Sequence, residues 1–175
     1  MKKSYLSIKN SLSSEIPANI LVYNIDAREL AEETVRFLEE NFEGLFEVDY
    51  TPPSYGNVIA SVDNLGYFLR LLFLASEGRD VIKLKIFELD GMLTIKTPYG
   101  YESFTARGVA AGLISAARDA GMTVYLDERG RFTLAVPIKP SRDLTVRAFS
   151  HSTIRQRLEY VFFGPPRIVI PDQET

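Results

Sequence analysis

Residues 62–76 read VDNLGYFLRLLFLAS, and this stretch decides the fold. Apolar side chains occupy nearly every face of the helix that we predict from about residue 64 to residue 76, and Arg70 is the one charge in its middle. A helix that is apolar all round lies inside a domain. Asp63 is placed to cap its first turn, and Gly78 ends it. The sequence therefore predicts a central helix around which the other elements pack.

A hairpin is predicted directly after this helix. The dipeptide Asp90-Gly91 separates two runs of strand-forming residues, 81–89 and 92–97. An Asp-Gly pair between such runs is the strongest short-range signal for a hairpin. In the first run Lys83 and Lys85 alternate with apolar residues, so we expect one face of this sheet to be charged and in contact with water.

The chain beyond this hairpin predicts a loop, a helix and a second hairpin. We expect the loop over residues 98–103 and the helix over residues 105–120. Gly121 closes that helix, because glycine adopts the left-handed conformation that follows many helix ends. The second hairpin joins residues 122–126 to residues 131–138.

The chain before the central helix predicts one helix and two short strands. Asp26 and Glu29 form a capping box, and apolar residues recur at helical spacing over residues 30–42. Alternating polar and apolar residues over 46–50 are typical of a half-buried strand. Residues 58–62 form the second short strand.

This order of elements favours an α+β fold rather than a doubly wound one. Hairpins mixed with helices form a two-layer α/β sandwich, with a mixed, mostly antiparallel sheet and helices on one face. We interpret residues 1–175 as a single domain with a core over residues 19–138. The C-terminal extension, residues 139–175, carries one amphipathic helix that Ser150 or Ser152 caps.

Composition and charge exclude several classes of function. The 175 residues include no cysteine, which excludes a thiol nucleophile, a zinc ribbon and an iron–sulfur cluster. The apolar runs are far shorter than the roughly 20 residues that span a bilayer, so we expect a cytoplasmic protein without membrane insertion. The pI of about 5.3 and the lack of a known nucleic-acid module speak against nucleic-acid binding.

Charge is unevenly distributed along the chain. Acidic residues dominate 15–49 and basic residues dominate 139–167. These segments either form solvated faces or pair with each other, within one molecule or between two copies in a homo-oligomer. The arginines of the basic segment, Arg155, Arg157 and Arg167, are a weak candidate for nucleic-acid contact.

Four segments resemble the catalytic ATPase domain of sensor histidine kinases, the GHKL or Bergerat fold. Residues 62–65 resemble the start of the helix that carries the family's N-box, and residues 68–75 have the cadence of that helix. Residues 106–121 resemble the helix after the glycine-rich lid. Residues 130–138 resemble the family's closing strand. The resemblance spans about residues 19–138.

The resemblance implies where a nucleotide pocket would lie and shows that its key residues differ. The two N-box asparagine positions, which help to hold Mg²⁺, fall on Arg70 and Leu74. The position of the adenine-binding aspartate falls near Thr97. The short segment in place of the lid retains only Gly100 and Gly108. Because leucine offers no ligand atom for Mg²⁺, the resemblance implies a degenerate domain with no catalytic residue, no metal site and a vestigial pocket.

We therefore expect a non-catalytic domain that acts by protein–protein interaction in two-component signalling. Its partner would be a kinase dimerisation domain or a response regulator, with Tyr99 and Tyr101 as candidate contacts. Residues 1–18 are too short to supply the family's helical hairpin with the phosphorylated histidine. The alternative is a sensor that binds a nucleotide or a small anion, with ATP or ADP bound but not hydrolysed.

Two single residues allow a structural and a functional interpretation. Arg70 either forms a structural contact, for example with Asp63, or grips an anionic ligand, because an unpaired buried guanidinium is costly. His151 is the only histidine and lies among Ser150, Ser152 and Thr153. We interpret it as an exposed polar residue, with a role as phosphoacceptor as the weaker alternative.

Overall fold

The computed structural model describes residues 4–14, 22–103, 109–139 and 151–164, the last range without the side chains of residues 151–153. The helices are α1 (Tyr5–Ser11), α2 (Ala27–Asn41), α3 (Val62–Ser76), α4 (Val109–Asp119) and α5 (His151–Phe163), and a short 3-10 turn covers Tyr101–Ser103. The strands are β1 (Tyr23–Asp26), β2 (Phe46–Tyr50), β3 (Asn57–Ala60), β4 (Ile82–Leu89), β5 (Met92–Gly100), β6 (Thr123–Leu126) and β7 (Arg131–Pro137).

The strands form two sheets. The larger has five strands in the order β2-β4-β5-β7-β6, and the smaller pairs β1 with β3. Only β2 and β4 run parallel, while the other neighbours are antiparallel. Helices α2, α3 and α4 pack on the larger sheet through β2, β4 and β6. The predicted α+β class with a mixed, mostly antiparallel sheet is confirmed.

The turn and cap signals of the sequence are largely confirmed. Asp90 and Gly91 both have positive φ, 52° and 74°, as the two central residues of a tight hairpin turn require. The Asp26 carboxylate accepts a hydrogen bond from the backbone N–H of Glu29 and so caps α2. Gly121 follows α4 with φ 89°.

The predicted cap of the central helix is wrong. Ser61, not Asp63, is the N-cap of α3, and its hydroxyl accepts a hydrogen bond from the backbone N–H of Asn64. Asp63 is the second residue of the helix and is buried. Its carboxylate binds Arg157 from α5, a residue 94 positions away, which local sequence does not show.

Strand β5 is longer than predicted. The expected loop over residues 98–103 is strand as far as Gly100, and only Tyr101–Ser103 forms a turn. After an irregularity that follows Lys96, the strand pairs again with β7 through Gly100 and Arg131. This second pairing extends the sheet into the region where the sequence predicted irregular backbone.

Two elements, α1 and β1, were not predicted from the sequence. The first is a short polar helix in which only Ile8 is buried, so its apolar periodicity is weak. Strand β1 has four residues and pairs only with β3. Within the described part of the chain, no helix combines the length and the apolar content that crossing a bilayer requires.

The predicted C-terminal helix is present and packs on α2 and α3. Its apolar residues Ile154, Leu158, Val161 and Phe162 are fully buried. The Phe162 ring lies 5.1 Å from the rings of both Phe37 and Phe42, measured between centroids. Helix α5 therefore adds to the same hydrophobic core as the central helix.

Candidate functional site

One face of α3 is covered by α5. This face carries Arg70, which the resemblance assigns to the first N-box position, and the contact is close because Gly66 has no side chain. A Cβ atom on Gly66 would lie 3.2 Å from Leu158 Cδ2 and 3.4 Å from Val161 Cβ. The small residue in the middle of α3 therefore lets the two helices approach, and α5 lies directly beside Arg70, one turn further along the helix.

Arg70 is held by backbone carbonyls. Its Nη1 donates to the carbonyl oxygens of Val161, at 3.2 Å, and Phe162, at 3.0 Å, and its Nη2 donates to the carbonyl of Ser13. The last carbonyls of a helix have no partner within the helix and carry the negative end of its dipole, so a guanidinium is well suited to bind them. Arg70 thus joins the central helix to the end of α5 and to the segment after α1.

Burial of Arg70 has an electrostatic cost. The residue is only 6% exposed, and desolvation lowers the pKa of its guanidinium. Among the described residues, its Nε has no hydrogen-bond partner. The expected contact between Arg70 and Asp63 is wrong. Asp63 binds Arg157 instead.

Ion pairs hold α5 along the rest of its length. Arg157 Nε lies 2.7 Å from Asp63 Oδ1, and its Nη2 contacts Oδ2, which gives a two-point pair with a buried carboxylate. This hydrogen bond raises the pKa of Arg157. Arg155 pairs with Glu40 of α2 and with Glu159. Glu40 belongs to the acidic segment of the sequence and Arg155 to the basic one. This pair therefore joins the two segments within one molecule.

Leu74, which the resemblance assigns to the second N-box position, is partly buried against the core. Its backbone carbonyl accepts a hydrogen bond of 3.1 Å from the hydroxyl of Tyr5 in α1. The Tyr5 ring also packs on Phe73, with 4.7 Å between the ring centroids. Because the leucine side chain holds no oxygen, this position offers no ligand atom for Mg²⁺.

Thr97, which the resemblance places near the adenine-binding position, is buried and hydrogen-bonded to the backbone. Its hydroxyl oxygen lies 2.9 Å from the Phe132 carbonyl and 3.3 Å from the Tyr99 carbonyl, to which it can donate. The single hydroxyl proton is thus used inside the sheet, at the irregular register between β5 and β7. Thr97 therefore acts as a structural residue in this strand.

The end of β5 is tightly closed against β7. A Cβ atom on Gly100 would lie 2.2 Å from the carbonyl oxygen of Gly130, so only glycine fits there. The backbone N–H of Gly100 donates to the hydroxyl of Ser103 at 3.0 Å. Arg131 donates from its side chain to the carbonyl of Pro98. The start of the segment that the resemblance assigns to the lid therefore belongs to the sheet.

The two tyrosines beside Gly100 differ in environment. Tyr99 packs against the core, and burial, together with the nearby charge of Asp80, raises the pKa of its hydroxyl. Tyr101 is 55% exposed, and its ring contacts Phe132 edge-on at 5.0 Å between centroids. Of the two predicted partner contacts, Tyr101 therefore offers more surface.

The predicted site residues fall into two groups. Arg70 lies under α5, whereas Thr97, Tyr99, Gly100 and Tyr101 lie at the end of β5. Gly108 lies outside the described residues, and so does the side chain of His151. In the part of the chain that the structure describes, no three acidic or histidine side chains are grouped to hold a metal ion.

Sequence reasoning missed the residues that surround Arg70. These are Ser13 and the end of α5, at Val161 and Phe162. An arginine within an apolar helix signals that some group must satisfy it. No pattern within one segment indicates that backbone carbonyls from both ends of the chain do so.

The structure is similar to catalytic domains of histidine kinases. The catalytic domain of the histidine kinase ThkA matches with 19% identity and a TM-score of 0.43, over 69% of this chain and 99% of that one. The Acinetobacter baumannii histidine kinase AdeS matches with 15% identity and a TM-score of 0.42, over 79% of this chain and 74% of that one.

The histidine kinase domain of the E. coli osmosensor EnvZ matches with 12% identity and a TM-score of 0.41, over 79% of this chain and 100% of that one. No family model and no curated protein matches the sequence. The contacts within this chain therefore decide which ligands the site can bind.

Proposed function

We propose that this chain is a non-catalytic histidine kinase ATPase-like domain that acts in the cytoplasm, in two-component signalling, by binding another protein. One observation carries the proposal. The guanidinium of Arg70, which the resemblance assigns to the first N-box position, donates to three backbone carbonyls. Two of them belong to α5 and the third to Ser13. The helix face that the resemblance assigns to Mg²⁺ and phosphate binding carries a buried Arg70 and a partly buried Leu74.

The residues do not fit a Mg²⁺–nucleotide complex. A cation at the Arg70 position repels Mg²⁺, and the Leu74 side chain has no oxygen to bind it. The Thr97 hydroxyl donates its proton within the sheet, and a hydroxyl lacks the charge with which a carboxylate binds an amino group. We therefore derive no reaction step through a nucleotide.

Tyr101 supports a protein-binding role. It is held edge-on by Phe132 and leaves more than half of its surface exposed. An aromatic side chain that is both rigid and exposed loses little conformational entropy when it binds a partner, which is typical of interface anchors. We propose Tyr101 as the anchor for a kinase dimerisation domain or for a response regulator.

We expect that Leu74→Asn alone will not create ATPase activity. The substitution restores one ligand oxygen, but Arg70 stays beneath α5 and the aspartate at position 97 is still missing. Steady-state phosphate release with Mg-ATP, measured for the variant beside the wild type, checks this. Mg²⁺-dependent turnover by the variant that exceeds the wild-type background would show that the pocket is still competent.

Partner binding is tested by titrating labelled chain with isolated kinase dimerisation domains and receiver domains from the same genome. Tyr101→Ala is expected to weaken binding by about tenfold or more, because a central aromatic anchor contributes about 2 kcal/mol. Tyr55→Ala is the matched control, since Tyr55 is 78% exposed but lies in the loop between β2 and β3. Absence of binding to every domain tested, with saturable binding of a nucleotide, would favour the sensor alternative.

A further inference from the structure

Strand β6 is an edge strand that is open to pairing. It is last in the order of the five-stranded sheet, so one of its sides faces no strand among the described residues. Its register with β7 is regular over all four residues. Tyr125 is 39% exposed and Leu126 is 44% exposed. An unpaired strand edge presents backbone donors and acceptors to any chain that can add to it.

This edge lacks the features that protect most edge strands. Residues 123–126 read TVYL and contain no charge, no proline and no glycine. The opposite edge of the sheet differs, because β2 carries the exposed acids Glu47 and Asp49. Two copies of β2 would bring like charges together, whereas two copies of β6 would not.

The alternation of hydrogen bonds between β6 and β7 shows which backbone groups of β6 point to the free edge. The Asp127 N–H donates to the Arg131 carbonyl at 3.0 Å, next to the pair formed by Leu126 and Phe132. In antiparallel strands, hydrogen-bonded and non-hydrogen-bonded pairs alternate. Tyr125 is therefore bonded to β7, while Val124 and Leu126 direct their N–H and C=O groups to the free edge.

We propose that β6 pairs antiparallel with β6 of a second copy of this chain, about a two-fold axis at Tyr125. In this register Val124 of each copy exchanges two backbone hydrogen bonds with Leu126 of the other. The two Tyr125 side chains then lie directly opposite each other as a non-hydrogen-bonded pair, in which side chains are closest. The two five-stranded sheets become one continuous sheet.

The charges beside the strand are balanced in sign. The turn after β6 carries Glu128 and Arg129, and the end of α4 before β6 carries Arg118 and Asp119, all of them exposed. Antiparallel pairing brings the turn of one copy toward the α4 end of the other. Each of these two segments carries one acid and one arginine, so their approach brings no excess of like charge to the interface.

A second copy is the occupant that these features fit. The strand is self-complementary, because one register satisfies the outward groups of both copies and pairs an exposed aromatic with itself. The inference uses only the sheet edge and its flanking charges. It therefore holds or fails independently of the proposed absence of catalysis.

Sedimentation velocity of the full chain over about 1–500 µM tests the pairing, since an interface of two short strands is small and hence weak. We expect the sedimentation coefficient to rise with concentration toward that of a dimer. Tyr125→Glu places two negative charges opposite each other and is expected to raise the dimer dissociation constant at least about tenfold. Tyr55→Glu is the matched control and should dimerise as the wild type does.

A mixture of two variants tests the register itself. Tyr125→Glu and Tyr125→Lys are each expected to be monomeric, and an equimolar mixture should form a dimer because opposite charges then face each other. Circular dichroism melts of the variants at low concentration check that both remain folded. A wild type that stays monomeric over the full range, or a mixture that stays monomeric, would overturn the proposal.

Discussion

Replacing Arg70 with methionine is expected to lower the free energy of unfolding by about 2–4 kcal/mol. Methionine keeps the length and the apolar part of the side chain but removes the donor that Arg70 supplies to the carbonyls of Ser13 and Val161. The Phe162 carbonyl loses one of its two donors and keeps the Ser13 N–H. A buried carbonyl without a partner costs about 1–3 kcal/mol. Chemical denaturation in urea, followed by circular dichroism, measures the change.

Arg79→Met is the matched control for this substitution. Arg79 is 68% exposed, and its pair with Glu77 lies at the surface, so its loss should change the free energy of unfolding by less than about 1 kcal/mol. The alternative interpretation of Arg70, as a residue kept for an anionic ligand, gives the opposite result. In that case Arg70→Met would leave stability unchanged or raise it.

Phe162→Ala is expected to lower the free energy of unfolding by about 3–5 kcal/mol. The Phe162 ring is fully buried between Phe37 and Phe42, so its removal leaves a cavity at the contact of α2 and α5. It also loosens the end of α5 whose carbonyls bind Arg70. Urea denaturation again gives the free energy of unfolding.

Phe163→Ala provides the comparison within the same helix. Phe163 is only partly buried, and its ring centroid lies 6.4 Å from those of Phe37 and Phe42. Phe163→Ala should therefore lower the free energy of unfolding clearly less than Phe162→Ala does. Equal, small effects of about 1 kcal/mol or less for both variants would mean that α5 is not part of the core in solution.

Local chemistry predicted much of the sheet and of the helix boundaries. Asp90-Gly91 predicts its hairpin because few residues adopt positive φ at two successive positions. Asp26 predicts the start of α2 because its carboxylate satisfies an N–H that the helix leaves free. Both signals depend only on residues within one turn of each other.

Long-range contacts are what the sequence did not show. Asp63 has the right residue type for a cap, but Ser61 takes that role and Asp63 pairs with Arg157 instead. The partners of Arg70 lie 57, 91 and 92 residues away and are backbone atoms, which carry no sequence signal. The pattern therefore predicted that Arg70 needs partners, but not which ones.

Titration calorimetry of the wild-type chain with ATP and with ADP, each with and without Mg²⁺, tests the central claim most directly. Thermal unfolding in the same solutions is the companion measurement, because a ligand at 100 times its dissociation constant stabilises a fold by about 2.7 kcal/mol. A domain in which Arg70 is buried against α5 predicts no saturable heat and no thermal shift at millimolar nucleotide. Saturable binding that requires Mg²⁺ would contradict the account.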